Sequence, residues 1–135
     1  MNRIYLTFFF AFMTFFSFAQ TKDYQLSSHI LDVSTGKPAQ DVVIKLEKLN
    51  VNEKWETISI FKTDTNGRVS SFLPYADQKN LGTYKLIFET SSYFKRNNIE
   101  TFYPFIEVVF SIKDNSHYHV PITISPFGYS TYKGN

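Results

Sequence analysis

The sequence has 135 residues, a formal net charge of +2 and no cysteine. A balance this close to neutral creates no broad field that would attract nucleic acid or an anionic membrane, so we exclude both as partners. Without cysteine, the chain has no disulfide, no thiol nucleophile and no thiolate metal ligand. Any catalysis must therefore use histidine, carboxylate, hydroxyl, lysine or arginine groups.

Residues 1–19 have the parts of a secretory signal peptide. Arg3 supplies the positive start, residues 4–16 form an apolar run, and small residues at 17 and 19 precede a predicted cleavage site before Gln20. The apolar run is shorter than the roughly 20 residues that a membrane-spanning helix needs. We therefore predict an exported protein with a bacterial periplasm as its expected compartment, no membrane segment after cleavage, and one domain over residues 20–135.

The rest of the chain alternates apolar and polar residues with the period of two that is typical of β-strands. In residues Tyr24–Asp32, Leu26 and Ile30 share an apolar face, and Gln25, Ser27 and His29 share the opposite one. Later segments have apolar faces formed by Val42, Ile44 and Leu46; by Ile58 and Ile60; by Tyr84, Leu86 and Phe88; and by Phe102, Ile106, Val108, Phe110 and Ile112. Short strands of this kind, separated by turns, predict an all-β antiparallel sandwich.

Turn signals and one helical segment interrupt the strands. Residues 34–41 form a Gly/Pro turn, and the Asn66–Gly67 pair predicts a tight hairpin. Only residues 89–98 break the alternation, which indicates a short helix capped by Ser91 or Ser92. Tyr93 and Phe94 of this helix are expected to contact the sandwich.

The segment SHYHVPITIS, residues 116–125, places two of the three histidines on one face of a predicted strand. His117 and His119 point away from the apolar face that Val120 and Ile122 form. His29 and Arg68 likewise point away from the apolar residues beside them. The ordinary interpretation of any single one of these side chains is a polar group that contacts water.

Two kinds of hydrolytic site would use such residues together. The His117–x–His119 pair and a third histidine could form a three-histidine zinc site, but only Asp114 lies near enough in sequence to orient a ligating ring. A metal-free site would use imidazoles, which titrate near neutrality, to exchange protons with water. An arginine would hold a carbonyl-rich or anionic substrate. The pattern by itself does not establish that His29, Arg68 and His119 meet.

Four stretches carry a resemblance that spans nearly the whole chain after the signal peptide: LSSHILDVSTGKPAQDVVIKLE, TDTNGRVS, YFKRNNIETFYPFIEVVF and HYHVPITISPFGYSTYKGN. Together they resemble the 5-hydroxyisourate hydrolases, the enzyme branch of the transthyretin-like family. The resemblance implies an eight-stranded sandwich that forms a homotetramer, with active sites between subunits. It implies hydrolysis of the purine-derived substrate 5-hydroxyisourate to 2-oxo-4-hydroxy-4-carboxy-5-ureidoimidazoline, without a cofactor or metal.

The resemblance also implies roles for individual residues. His29 and His119 would activate water and move protons, and Arg68 would hold substrate oxygens. The chain ends in Tyr132, Lys133, Gly134 and Asn135, where the family has Tyr-Arg-Gly-Ser closing the pocket. We expect these four residues to contact substrate, although Lys133 lacks the guanidinium fork and Asn135 replaces a hydroxyl with an amide. His117 would line the same pocket or orient a neighbouring group.

Two functions of other classes stay open. The chain could be a small-ligand carrier, like the hormone-carrying branch of the same family, or a non-catalytic β-sandwich interaction module of the cell envelope. Neither function needs the histidine pair or the Tyr-x-Gly-x ending, so the sequence favours the hydrolase.

Overall fold

The computed structural model describes residues 23–135, so the predicted signal peptide lies outside the described residues. In this part of the chain, nine strands and one helix follow in the order β1 (Tyr24–Asp32), β2 (Lys37–Pro38), β3 (Val43–Leu49), β4 (Trp55–Lys62), β5 (Arg68–Pro74), β6 (Gly82–Phe88), α1 (Thr90–Arg96), β7 (Ile106–Ile112), β8 (Tyr118–Ser125) and β9 (Gly128–Thr131). None of the helical residues described forms a segment long and apolar enough to cross a membrane.

The strands form two sheets, and the predicted sandwich is confirmed. One sheet has the order β2-β1-β8-β9, with β5 also paired to β1, and the other has the order β4-β3-β6-β7. The count exceeds the expected eight because of the two-residue β2. The sandwich is not wholly antiparallel, since β1 and β8 run parallel. Their paired residues, such as Leu26 and Tyr118, are far apart in the chain, and a local pattern does not specify the direction of such a pairing.

The core lies between the sheets, where the predicted apolar faces meet. Leu26, Ile30, Ile44, Leu46 and Leu86 are all 0% exposed. Burying each such side chain stabilises the fold by about 1.5–3 kcal/mol relative to leaving it exposed. The same interior fixes the outward direction of the alternate residues on β1 and β8, which is where the histidines lie.

Two predicted apolar faces are wrong in part. Ile58 and Ile60 are 44% and 57% exposed, because β4 is an edge strand. On its opposite face only Ser59 is half-buried, and the Phe61 ring contacts the Phe72 ring with 5.6 Å between their centroids. Phe102 is 72% exposed and precedes β7, which begins only at Ile106. Alternation identifies two faces of a strand, but it does not determine which face the other sheet covers.

The predicted hairpin at Asn66–Gly67 is also wrong. The turn joins β4 to β5, and these strands belong to different sheets. One carboxylate oxygen of Asp64 accepts the backbone N–H groups of Asn66 and Arg68, each at 2.9 Å. This Asx-type turn carries the chain across the sandwich and starts β5 at Arg68.

The helix cap and Gln25 differ from the expectations, whereas Phe94 agrees with them. Helix α1 begins after Glu89 without a side-chain cap, and Ser92 instead donates to the Glu89 carbonyl at 2.9 Å, so the predicted serine cap is wrong. Phe94 is buried and packs on the core as expected. Gln25 is 0% exposed, not on the outer face, because β1 is irregular between Tyr24 and Leu26. Its amide donates to the Asp114 carbonyl at 2.8 Å.

Candidate active site

The three predicted catalytic residues lie on adjacent strands of the five-stranded sheet. His29 of β1 pairs directly with Arg68 of β5, and Ser27 of β1 pairs with His119 of β8. Side chains of directly paired residues project on the same side of a sheet. The sheet therefore brings His29, Arg68 and His119 to its outer face, which the sequence pattern alone did not establish.

An open cavity of about 430 Å³ lies on this face. It is within the range of about 300–1,000 Å³ that small-molecule sites occupy. Its lining residues are Asp23, Tyr24, Ser27, Ser28, Arg68, Val69, Ser70, His117, His119 and Asn135. The cavity thus contains four of the predicted site residues. His29 is not among the lining residues and lies beside the cavity, opposite Arg68.

Ser27 joins the two histidines, and sequence reasoning assigned it no role. Its hydroxyl oxygen lies 2.9 Å from Nε2 of His117 and 2.8 Å from Nδ1 of His119. The Nδ1 atom of His117 lies 2.8 Å from the backbone carbonyl oxygen of Tyr24. The outward position of Ser27 was visible in the alternation of β1, but its register against β8 was not. The two imidazoles are therefore held in one hydrogen-bonded group.

The environment of His29 lowers the pKa of its imidazole below the ordinary value of 6.5. Burial is the largest cause, because it disfavours the charged ring, and the positive charge of Arg68 acts in the same direction. A hydrogen bond with the Asn66 backbone and the charge of Asp64 oppose the shift. At neutral pH the ring is therefore mostly uncharged, as a proton acceptor must be.

The chain end divides between two surfaces. The Gly134 N–H donates to the His119 carbonyl at 2.9 Å, and Asn135 lines the histidine cavity. Tyr132 and Lys133 instead line a second cavity of about 270 Å³, and the Lys133 ammonium lies 5.5 Å from the centre of the Tyr118 ring. Within one subunit, Gly134 and Asn135 thus lie at the histidine cavity, and Tyr132 and Lys133 lie away from it.

Among residues 23–135, no group of three or more histidine, aspartate or glutamate side chains is arranged to hold a metal ion. His29 lies opposite Arg68, whereas nitrogens of both other imidazoles contact Ser27. The three-histidine zinc hypothesis thus finds no ligand set in the described part of the chain.

The sequence and fold are similar to those of known proteins. Residues 26–134 match the HIUase/Transthyretin family. The chain belongs to this family. It is 47% identical over 112 residues to a probable 5-hydroxyisourate hydrolase of Caenorhabditis elegans, a match that covers 82% of this chain and 81% of the relative.

Solved structures of this family resemble the chain in both of its branches. The structure of the Klebsiella pneumoniae 5-hydroxyisourate hydrolase superposes with a TM-score of 0.70 at 36% identity, covering 82% of this chain and 97% of that one. Sea bream transthyretin in complex with thyroxine superposes with a TM-score of 0.76 at 28% identity, covering 82% and 94%. The backbone therefore does not distinguish the hydrolase branch from the transthyretin branch, and that distinction rests on the side chains of the site.

Proposed function

We propose that this protein hydrolyses 5-hydroxyisourate to 2-oxo-4-hydroxy-4-carboxy-5-ureidoimidazoline, a step of urate degradation. The observation that carries the proposal is the presence of Arg68 and His119 in one open cavity, with His29 opposite Arg68 on the same face. The relative described above, which bears the name of this enzyme, is 47% identical over 112 residues. These side chains are the groups that acid–base hydrolysis requires.

The proposed chemistry adds one water molecule to the substrate ring. One imidazole takes a proton from water while the water oxygen bonds to a ring carbonyl carbon. The C–N bond to that carbon then breaks, and the departing nitrogen receives a proton from an imidazolium. The Arg68 guanidinium donates N–H groups to substrate oxygens, which gain negative charge as the water attacks. The lowered pKa of His29 suits it to the proton-accepting form at neutral pH.

The reaction is tested with purified protein and freshly prepared 5-hydroxyisourate, whose decay is followed by its absorbance. We expect the protein to accelerate the decay, and His29→Ala or His119→Ala to lower kcat by about 10²–10⁴-fold, the usual contribution of an acid–base group. Arg68→Lys should weaken activity because an ammonium lacks the paired donors. Arg96→Lys is the matched control, since Arg96 contacts the Gln40 carbonyl away from the cavity. A decay no faster than the spontaneous one would reject the proposal.

We also propose that the active form is an exported homotetramer whose neighbouring subunits complete the cavity. The signal-like residues 1–19 support export. The open cavity and exposed aromatic side chains, including Phe127 and Tyr129, support association between subunits. If the protein is exported, it should be recovered from the periplasmic fraction of a bacterial host. Its measured mass should equal that of a chain that begins at Gln20.

A carrier function has one observation in its favour, the TM-score of 0.76 with thyroxine-bound transthyretin. Tight binding of an aromatic ligand, unchanged in His119→Ala and without hydrolysis by the unaltered protein, would support that alternative. An inactive monomer that co-purified with a larger envelope protein would instead support an interaction module.

A further inference from the structure

When both neighbouring imidazoles are neutral, the hydrogen bonds around Ser27 determine which nitrogen of each ring carries the proton. A backbone carbonyl only accepts hydrogen bonds, so the Nδ1 atom of His117, 2.8 Å from the Tyr24 carbonyl oxygen, must be the protonated one. A neutral imidazole has one N–H, and its other nitrogen is an acceptor. The Nε2 atom of a neutral His117 therefore accepts the hydroxyl proton of Ser27 across 2.9 Å.

This assignment extends to His119. A serine hydroxyl has one proton and two lone pairs. Because that proton is directed to His117, the Ser27 oxygen can only accept from Nδ1 of His119, which lies 2.8 Å away. The Nδ1 atom of His119 is then protonated, and the basic lone pair of its neutral ring is on Nε2. The order of donation runs from His119 through Ser27 and His117 to the Tyr24 carbonyl.

We propose that Ser27 and His117 are positioning residues that hold His119 in its Nδ1–H tautomer, so that Nε2 is the atom that exchanges a proton with water and substrate. The inference rests on the proposed function. A proton that Nε2 accepts makes the ring cationic, and the Nδ1–H bond to Ser27 then strengthens. When the same proton passes to the departing nitrogen, the ring returns to its starting tautomer. A base oriented by a further group is a recurring arrangement in hydrolases.

The arrangement also explains why the pair is His–x–His on a strand beside a serine. Side chains two residues apart point the same way, and the parallel register of β1 and β8 places Ser27 opposite His119. All three residues line the same cavity. His117 thereby acts through Ser27, and it need not touch the substrate to affect turnover.

The test compares Ser27→Ala, Ser27→Thr and Ser125→Ala in the full-length protein. Ser27→Ala removes the hydroxyl, whereas Ser27→Thr keeps it on a residue that strands accommodate well. Ser125→Ala is the matched control, because it removes an outward hydroxyl from the far end of β8 that bonds the Gly128 carbonyl. The readouts are the ¹⁵N chemical shifts of the two His119 ring nitrogens and the separate values of kcat and KM.

In the unaltered protein we expect the ¹⁵N shifts to report a protonated Nδ1 and an unprotonated Nε2 on neutral His119. Ser27→Ala should give the averaged ¹⁵N shifts of a tautomer mixture. It should lower kcat about ten- to a hundredfold with KM within about twofold, the size of effect seen when hydrogen-bond partners of metal-ligating side chains are removed. Ser27→Thr should restore both readouts, and Ser125→Ala should change neither.

The failure of this inference differs from the failure of the proposed function. If the unaltered protein accelerates hydrolysis but its His119 carries the proton on Nε2, the tautomer assignment is wrong. If Ser27→Ala keeps full kcat in a folded protein, Ser27 does not position the ring. If no hydrolysis occurs at all, the proposed function fails, and the shifts alone then decide whether the hydrogen-bond order is correct.

Discussion

At the scale of single residues, the pairing of His29 with Arg68 gives the site a defined electrostatic feature. Burial and then the guanidinium charge keep the pKa of His29 below 6.5. Because the folded chain binds this proton less tightly than the unfolded chain, the effect on stability has a definite sign. The contribution of His29 is complete above pH 6.5 and is lost as the pH falls through the lower pKa of the folded state.

Replacing Arg68 should therefore change a measurable property of His29. In Arg68→Gln we expect the pKa of His29 to rise, yet to stay below 6.5, because burial is the larger cause of the shift. NMR titration of the histidine ring protons measures this value. Arg96→Gln removes the same charge from helix α1, where Arg96 contacts the Asp41 carbonyl, and should leave the titration unchanged. An unaltered pKa in Arg68→Gln would mean that the two side chains do not interact.

Gly134 illustrates how closely the chain end approaches the site. A Cβ atom at this position would lie 2.5 Å from Cδ2 of His119, closer than side chains tolerate. We expect Gly134→Ala to displace the ring and lower kcat at least tenfold while the melting temperature changes by only a few degrees. The adjacent Lys133→Ala, which leaves the backbone contact intact, should retain a larger share of the activity. Equal kcat values for Gly134→Ala and the unaltered protein would show that the ring adapts without cost.

At the scale of elements, the turn before β5 is what sets Arg68 opposite His29. Asp64 accepts the N–H groups of Asn66 and Arg68, and Ile30 of β1 donates its N–H to the Gly67 carbonyl at 2.9 Å. Gly67 has a φ of +69°, and a Cβ atom there would lie 2.6 Å from the Ile30 carbonyl oxygen. Two separate constraints, backbone conformation and close approach, therefore require glycine.

A comparison of two glycines separates these constraints. Gly36 has a nearly identical φ of +70°, but a Cβ atom there would meet nothing within 4 Å. Gly36→Ala should cost about 1–2 kcal/mol from the left-handed conformation alone. Gly67→Ala should cost about 1–3 kcal/mol more because the backbone must shift, which corresponds to a further fall in melting temperature of several degrees. Thermal unfolding measures both, and equal losses would mean that the close contact relaxes freely.

How far the sequence predicted these elements depended on how local the determining interactions are. The alternation in β1 and β8 predicted their apolar buried faces correctly, because residues such as Leu26 and Ile122 are both apolar and central in the core, although it misplaced Gln25. It failed at Ile58 and Ile60, where the exposed face of an edge strand is also apolar. The hairpin prediction failed because turn residues such as Asn66 and Gly67 specify a bend and not the sheet that follows it. The link through Ser27 depends on a register with a strand about 90 residues away, which no local pattern contains.

At the scale of the whole molecule, the sandwich supplies a scaffold that both branches of the family share. Its outer sheet face holds His29, Arg68 and His119 in register, while the core behind them fixes the strands. Sea bream transthyretin, solved in complex with thyroxine, has a similar backbone, so the fold itself does not determine a reaction. The reaction must instead be determined by a few outward side chains and by the neighbouring subunit that we propose covers them.

The proposed tetramer, in which a neighbouring subunit packs over these side chains, can be tested directly. Large aromatic side chains remain exposed after β8, among them Phe127 at 70% and Tyr132 at 60%, as expected for a surface that contacts another subunit. We expect the purified protein to have four times the subunit mass by native mass spectrometry. Phe127→Glu should lower the assembly mass, because a charge would have to be buried in the interface. It should also reduce specific activity, because the cavity loses the residues that the neighbouring subunit contributes.

The matched control for that variant is Val51→Glu. Val51 is 97% exposed in the turn between β3 and β4, so it presents an apolar side chain on a surface distant in sequence from the chain end. The control should keep both mass and activity. A fully active monomer would contradict the proposal that a neighbouring subunit completes the site, and would place every group needed for hydrolysis within one chain. A tetramer that loses activity in Phe127→Glu without losing mass would assign Phe127 to the cavity and not to assembly.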